Sequence, residues 1–137
     1  MTSEKLEWKG KYLIDTSALY PMLLNGISLD SDRFVISSLT EYELGNVLWK
    51  ENQRKKLRDP ERVAAIFAEN IKDLERLDID SIVEVLELAL DRDLTFYDAS
   101  YAYIAEKGHL RLITQDKYLL RKTKSAISLE EIKNAGI

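Results

Sequence analysis

The sequence predicts an α/β fold, a three-layer α/β/α sandwich with a mainly parallel central sheet of four to five strands. Two observations carry this prediction. Short apolar runs typical of buried strands alternate with longer segments in which apolar residues recur every three or four positions, as in amphipathic helices. The first apolar runs also end in polar turns that lead into such helices. Because buried parallel strands need helices on both faces of the sheet, this alternation predicts a sandwich.

The first half of the chain is predicted to contain two strands and three helices. The apolar runs at 12–14 and 34–36 are short and lack helical spacing, which favours strands. Gly26 provides a stop after the first helix. Asp59-Pro60 ends the second helix and begins the third, since proline suits a first helical turn. The predicted helices span residues 17–24, 39–56 and 61–75.

The second half of the chain continues the alternation. A short third strand is predicted at 77–79, a further strand at 111–114, and an edge strand at 126–129. Gly108 is the expected stop of an alanine-rich helix. The predicted helices span residues 82–90, 98–107 and 117–122.

Two capping boxes are predicted at helix starts, one from Ser38 and Glu41 and one from Ser81 and Glu84. In such a box the hydroxyl and the carboxylate each bind a free backbone N–H of the first turn. The helix after Ser81 is predicted to turn one apolar face towards the core. That face comprises Ile82, Leu86, Ala89 and Leu90.

Composition limits the classes of protein to which the chain can belong. With 137 residues, 45% hydrophobic and 32% charged, it fits one globular domain (1–137) with a polar N-terminal extension (1–10). The absence of cysteine excludes disulfides, zinc ribbons and thiol nucleophiles. No apolar run approaches the ~18 residues that span a bilayer, so we expect a cytoplasmic protein with no membrane contact. The net charge of −4 argues against nonspecific coating of nucleic acid.

Four acidic residues stand in apolar or turn contexts that are unusual for carboxylates. Asp15 and Asp116 close strand-like runs, Asp98 opens the alanine-rich helix, and Glu43 lies near the start of another helix. In a parallel α/β sheet these places meet at the carboxyl ends of the strands. Carboxylates within ~5 Å of one another repel by about 3 kcal/mol per pair, so a cluster requires protons or a hard cation. Oxygen-only ligands favour Mg²⁺ or Mn²⁺.

A structural interpretation of each acid remains open at this point. Aspartate is a favoured N-cap, and each of the three aspartates precedes or begins a predicted helix. Glu43 could be a solvated surface residue at the border of an apolar stripe.

Four segments in a fixed order give the chain a resemblance to a known family. They are Asp15-Thr16-Ser17 after a strand, Glu43-Leu44-Gly45-Asn46-Val47-Leu48 on a helix, Tyr97-Asp98-Ala99-Ser100 at a helix start, and Thr114-Gln115-Asp116 at a strand end. This pattern resembles the PIN domain family, and within it the VapC-type toxins, from residue 11 to about 129. The resemblance implies a PIN-like sandwich and a Mg²⁺- or Mn²⁺-dependent endoribonuclease, paired with a small antitoxin protein and forming a homodimer.

The resemblance also implies roles for individual residues. Asp15, Asp98 and Asp116 would hold the metal, and Glu43 would orient or deprotonate the attacking water. The hydroxyl neighbours of this site would be Thr16, Ser17 and Thr114. The chain departs from the family at one point: residues 117–120 contain no further acid, which places a second metal site in doubt.

Basic and aromatic residues are the candidates for RNA contact. Two basic clusters could follow the RNA backbone, although such clusters also complement helix C-termini. Tyr97, Tyr101 and Tyr103 could stack on bases or serve as core packing. His109 is expected to be a loop residue without a catalytic role. The basic candidates are Lys50, Arg54, Lys55, Lys117 and Arg121.

Two other functions remain compatible with the sequence. The first is a PIN nuclease of RNA processing or decay, and the second is a non-catalytic module that binds RNA or protein. Retention of all four acids favours chemistry over the second alternative. The apolar residues of the helices between Val63 and Leu90 offer a surface for a dimer.

Overall fold

A computed structural model describes residues 11–134, so the predicted N-terminal extension (1–10) lies outside the described residues. Within that range no helix has both the length and the apolar character needed to cross a membrane. In chain order the elements are β1 (Tyr12–Ile14), α1 (Thr16–Leu24), β2 (Phe34–Ser37), α2 (Thr40–Gln53), α3 (Pro60–Ile71), β3 (Glu75–Leu77), α4 (Ile82–Arg92), α5 (Phe96–Lys107), β4 (Arg111–Ile113), α6 (Lys117–Lys122), β5 (Ala126–Ile127) and α7 (Leu129–Asn134).

The strands form one five-stranded parallel sheet in the order β3-β2-β1-β4-β5. β1 lies at its centre, where Leu13 pairs with Val35 of β2 on one side and with Leu112 of β4 on the other. The chain adds β2 and β3 on one side of β1 and then returns to add β4 and β5 on the other. The gap between β1 and β4 is therefore the switch point at which α/β sheets form their ligand crevice.

Helices cover both faces of the sheet, and the alternation of strand residues divides the core in two. Ile14 and Ile113 face one cluster, which also contains the buried residues of α1, α2, α3 and α7. Leu13 and Leu112, one position earlier in each strand, face a second cluster with α4, α5 and α6. The predicted α/β/α sandwich is confirmed, with five strands.

Two predicted element boundaries are wrong around the third strand. The helix predicted at 61–75 ends at Ile71, where the N–H of Leu74 binds the Ile71 carbonyl. β3 begins at Glu75, which pairs with Val35, rather than at residue 77. Leu74 lies beyond the helix but is buried and apolar, so the helical spacing of apolar residues continues through the turn. Periodicity alone therefore could not locate the end of the helix. The short helix α7 was not predicted.

The predicted capping box of Ser38 and Glu41 does not form. The Ser38 hydroxyl donates to Asp78, and Glu41 accepts from Arg76 Nε at 2.6 Å. Both partners lie on or just after β3, which is remote in sequence. At the start of α4, the Ser81 hydroxyl does accept from the N–H of Glu84 at 3.1 Å.

Helix α4 buries a narrower face than its apolar spacing predicts. Val85 is fully buried and Ala89 is 5% exposed, so an i, i+4 pair forms the buried part of this face, with Leu88 partly buried beside it. Ile82, Leu86 and Leu90, which were predicted to face inward, are 69%, 48% and 74% exposed. The prediction is correct only for Ala89. The outer side of α4 is consequently an apolar surface.

Leu13→Ala tests the central position of β1. Leu13 is fully buried between two neighbouring strands, so its truncation should lower the free energy of unfolding by about 2–5 kcal/mol in chemical denaturation. Leu24→Ala, which removes the same atoms from a side chain 52% exposed, should cost less than about 1 kcal/mol. Equal losses in the two variants would contradict the described core.

Candidate active site

Four acidic side chains lie on elements that meet at the switch point between β1 and β4. Asp15 follows β1 and caps α1, and Asp116 follows β4 after two intervening residues and caps α6. Glu43 lies in the first turn of α2, and Asp98 lies in the first turn of α5. The carboxyl ends of β1 and β4 are adjacent because these strands pair in parallel. Strand ends and helix starts thus bring the four acids to one edge of the sheet.

Asp15 is buried and held on both carboxylate oxygens. Oδ1 accepts from the Ser17 hydroxyl at 2.7 Å and from the Ala18 N–H at 3.1 Å, which is the N-cap bond of α1. Oδ2 accepts from the Thr114 hydroxyl at 2.5 Å. Burial raises the pKa of Asp15 to about 6, because these bonds only partly offset desolvation and the negative charge of Asp116 adds to the shift. The N-cap interpretation of Asp15 is therefore correct, and it coexists with a perturbed carboxylate.

Ser17 and Thr114 connect the two turns that carry Asp15 and Asp116. Thr114 is fully buried, and its Oγ1 accepts from the N–H of Asp116 at 3.0 Å. The Ser17 hydroxyl accepts from the N–H of Gln115 at 2.9 Å and lies 3.3 Å from Thr114 Oγ1. Two of the three hydroxyls that the resemblance implied at this site, those of Ser17 and Thr114, therefore hold the β1–α1 turn against the β4–α6 turn.

Asp116 and Asp98 differ in how their carboxylates are held. Asp116 Oδ1 accepts from the N–H groups of Tyr118 and Leu119 at 2.9 and 3.0 Å, as an N-cap does. Asp98 is not an N-cap, because α5 begins two residues earlier with Thr95 as its cap. Half-burial, then repulsion from Asp116, raises the pKa of Asp98, and Glu43 adds a smaller repulsion. The Asp98 carboxylate has a side-chain hydrogen bond with Thr95, which lowers the pKa of Asp98 but does not offset the effects that raise it.

Glu43 is half-buried and held through one oxygen. Its Oε1 accepts from the Tyr101 hydroxyl at 2.6 Å and from the Thr16 hydroxyl at 2.9 Å. Within residues 11–134, no donor binds Oε2. The interpretation of Glu43 as a solvated surface glutamate is therefore wrong.

Tyr101 was not identified from the sequence as a residue of the acidic site. The sequence predicted that this side chain either stacks on RNA bases or packs in the core. Its side chain is 2% exposed, which excludes stacking on a base. Its hydroxyl lies 2.9 Å from Thr40 Oγ1 in addition to its bond to Glu43. Desolvation and the Glu43 carboxylate raise the pKa of this hydroxyl, so it remains a donor. One sequence feature could have indicated this role: Tyr101 lies three residues after Asp98, and therefore on the same face of the helix.

The four acids repel one another in pairs, but their side chains do not converge into a cluster that could bind a metal ion as it stands. Repulsion is felt between Asp15 and Asp116, between Asp98 and Asp116, and between Asp98 and Glu43. In the described part of the chain, no group of three or more acidic or histidine side chains is close enough to hold a metal ion as it stands. The donor set still fits a hard cation. It consists only of carboxylate oxygens, and among the described residues no donor binds Glu43 Oε2.

Comparison with known proteins identifies the family. The family model described as PIN domain matches residues 12–125. The chain belongs to the PIN domain family. Exonuclease VapC9 of Pyrobaculum aerophilum is 40% identical over 124 residues, covering 89% of this chain and 92% of that protein. Ribonuclease VapC3 of the same organism is 35% identical over 94 residues, covering 66% and 71%. These relatives make the chain a VapC-type PIN domain.

A solved structure supports the same family and fold. The crystal structure of PAE2754 from Pyrobaculum aerophilum matches with a TM-score of 0.80 at 38% identity, covering 93% of this chain and 98% of that one. The predicted PIN-like sandwich is confirmed by this match and by the parallel sheet.

The basic candidates of this PIN domain lie on two helices that begin at the acids. Lys117 and Arg121 are exposed on α6, which starts after Asp116. Arg121 lies over the ring of Tyr118 at 5.2 Å, and that ring is 56% exposed. The other three, Lys50, Arg54 and Lys55, lie at the far end of α2 or just beyond it.

A groove between α1 and α2 includes Glu43 in its wall. It has a volume of about 340 Å³. Lys50 lies seven residues after Glu43, which corresponds to about 10 Å along the helix. The groove is lined by Thr16, Ser17, Tyr20, Glu43, Asn46 and Val47.

The raised pKa of Asp15 predicts a pH-dependent stability in metal-free protein. Folded Asp15 keeps its proton up to about pH 6 and the unfolded residue loses it near 3.8, so its contribution is present below pH 4 and is lost as the pH rises through 6. Asp15→Asn removes the titration and keeps a side-chain oxygen for the helix cap.

The free energy of unfolding should therefore shift in favour of Asp15→Asn between pH 4 and pH 7, by about 2–3 kcal/mol relative to wild type. Chemical denaturation in EDTA at several pH values measures this difference. A difference that stays constant over the range would contradict the described burial of Asp15.

Proposed function

We propose that this VapC-type PIN domain is a cytoplasmic Mg²⁺- or Mn²⁺-dependent endoribonuclease. The observation that supports it best is the arrangement of four carboxylates, from two strand ends and two helix starts, which repel one another in three pairs. The chain has no cysteine and one histidine, which disfavours a nucleophile activated by histidine. The names of its relatives, an exonuclease and a ribonuclease, also support nuclease chemistry.

Each acid has a proposed role that follows from how it is held. Asp15, Asp98 and Asp116 would bind the cation directly or through water. When bound, such a cation lowers the pKa of a water ligand and stabilises charge on a phosphate. Glu43 orients the attacking water and accepts its proton, and Oε2 is the oxygen left free for this task. Because residues 117–120 contain no acid, we propose one cation rather than two.

The hydroxyl residues act through the acids. Ser17 and Thr114 fix Asp15 by donating to both of its oxygens, which leaves the carboxylate one orientation. Thr16 donates to Glu43. None of the three needs to touch the substrate in this proposal.

The RNA would lie across the acids with its backbone between the two basic helices. Lys117 and Arg121 lie on α6, which begins directly after Asp116, and Lys50, Arg54 and Lys55 lie at the C-terminal end of α2 or just beyond it. Phosphate contacts of this kind give affinity that falls with salt.

Exposed tyrosines could add stacking at the rim of the site. Tyr97 is 61% exposed and directly precedes Asp98, so it remains a candidate for contact with a base. Tyr103 is 9% exposed and is no longer a candidate.

The biological role that we propose is that of the toxin in a VapBC-type pair, with a small antitoxin as partner. The relatives named VapC support this role. A PIN nuclease of RNA processing would purify without such a partner when expressed with its neighbouring genes. A non-catalytic binding module would bind RNA without cutting it.

We also propose a homodimer through the outer side of α4. Ile82, Val83, Leu86 and Leu90 are 69%, 61%, 48% and 74% exposed, and all four lie within nine residues of one helix. Monomeric proteins rarely leave large apolar side chains together on their surface. A two-fold axis beside α4 would pack this surface against its own copy.

Asp98→Asn tests the catalytic proposal. The variant should cut RNA at least about 100-fold more slowly in Mn²⁺, since loss of outer partners alone typically costs 10–100-fold. Asp91→Asn, an exposed aspartate on α4, should cut at the wild-type rate. A circular RNA is the sharpest substrate, because an endonuclease opens it and an exonuclease does not.

Three outcomes would contradict the proposal. Wild-type protein that cuts neither circular nor linear RNA would remove the enzyme function. Wild-type protein that cuts only linear RNA from an end would make it an exonuclease. An Asp98→Asn variant as fast as wild type would remove Asp98 from the site.

Leu90→Lys tests the dimer. Lysine places a charge in the centre of the proposed contact, so sedimentation should show a monomer where wild type shows a dimer. Ile66→Lys is the matched control, because Ile66 is 51% exposed on α3 at the opposite face of the sheet. A monomeric wild type, or equal dissociation of both variants, would contradict this interface.

A further inference from the structure

A chain of hydroxyl groups beneath Glu43 has only one consistent direction. Thr40 Oγ1 accepts from the N–H of Ser37 at 3.1 Å and lies 2.9 Å from the Tyr101 hydroxyl. The Tyr101 hydroxyl donates to Glu43 Oε1 at 2.6 Å. Each hydroxyl has a single hydrogen. Since Tyr101 gives its hydrogen to Glu43, Thr40 must give its own to Tyr101.

This series of hydrogen bonds begins at a backbone N–H of the central sheet and ends on one carboxylate oxygen of Glu43. Ser37 is the last residue of β2 and is 4% exposed, and Thr40 is fully buried. The Thr16 hydroxyl adds a second donor to the same Oε1 at 2.9 Å. Oε1 is therefore saturated by protein donors, whereas Oε2 has none among the described residues. Two donors on one oxygen prevent the carboxylate from rotating.

Tyr101 also links the helices that carry two of the acids. It lies on α5 one turn after Asp98 and reaches α2, where it binds Glu43 and contacts Thr40. The tyrosine ring thereby bridges α5, which carries Asp98, and α2, which carries Glu43. No shorter hydroxyl residue at this position could span the same gap.

We propose that Tyr101 is a positioning residue that holds Glu43 through Oε1 and leaves Oε2 as the oxygen that receives the proton of the attacking water. Tyr101 itself touches neither water nor RNA. Its effect should appear in the rate of the chemical step and not in substrate or metal binding. The inference rests on the proposed function, because it assigns a task to one acid of the proposed site.

Tyr101→Phe is the direct test, since it removes one oxygen and keeps the ring. We expect kcat to fall about 10–100-fold, with the KM for RNA and the affinity for Mn²⁺ within about twofold of wild type. Tyr103→Phe is the matched control on the same helix. Its hydroxyl binds Asp80 and Glu84 at 2.5 and 3.1 Å, outside the acidic site, so its kcat should equal that of wild type.

A double-mutant cycle shows whether Tyr101 acts through Glu43. In a Glu43→Gln background, Tyr101→Phe should cause less than about a twofold further loss, because the group that it positions has already been removed. The full loss in that background would overturn the proposal. Wild-type kcat in the single variant, or an equal loss in Tyr103→Phe, would overturn it as well.

A measurement on metal-free protein separates this inference from the proposed function. The Tyr101 hydroxyl proton, bound to a carboxylate in a buried site, should give a downfield NMR signal that is absent in Tyr101→Phe. In Glu43→Gln the signal should move upfield, because a bond to an amide oxygen is weaker than one to a charged oxygen. An unchanged signal would overturn the positioning role. A wild type that shows this shift but cuts no RNA would contradict only the proposed function.

Discussion

The parallel pairing of β1 with β4 is the constraint on which the candidate site depends. Ile14 pairs with Ile113, so the residues that follow, Asp15 and Thr114, leave the sheet side by side. The bond of 2.5 Å from the Thr114 hydroxyl to Asp15 and the backbone bond from Asp15 N–H to the Ile113 carbonyl, at 3.1 Å, both follow from this register. A shift of one residue would turn every side chain of the strand to the other face of the sheet and separate these groups.

Convergence at this edge has an energetic cost that the fold offsets locally. Burial raises the pKa of Asp15 to about 6, and neighbouring acids repel one another. Against this cost the chain sets two helix caps, at Asp15 and Asp116, and the hydroxyls of Ser17 and Thr114. These donors are short-range and therefore stabilise the turns without neutralising the charge. The repulsion that remains favours the binding of a cation or a proton. Clustered charges of this kind are common at functional sites.

The sequence predicts this site better than it predicts the interactions that hold the site. Strand ends and helix starts are local features, so the positions of Asp15 and Asp116 at one edge could be inferred from short segments. Tyr101 was missed because its partner Glu43 is 58 positions away, and only the packing of α5 beside α2 brings the two together. The capping box expected at Ser38 failed for the same reason, since a residue after β3 competes for its hydroxyl. The exposed face of α4 was mispredicted because apolar periodicity does not show how much of an apolar face the rest of the chain covers.

The way in which Asp15 is held argues against a purely structural role for its charge. An N-cap needs one side-chain oxygen, which asparagine supplies equally well. An amide at this position would also avoid most of the desolvation that raises the pKa of Asp15. The second oxygen, bound by Thr114, adds nothing to the cap of α1, and the negative charge opposes burial. The negative charge therefore contributes nothing to the cap itself, and it fits the proposed cation site better than it fits a binding module without a cation.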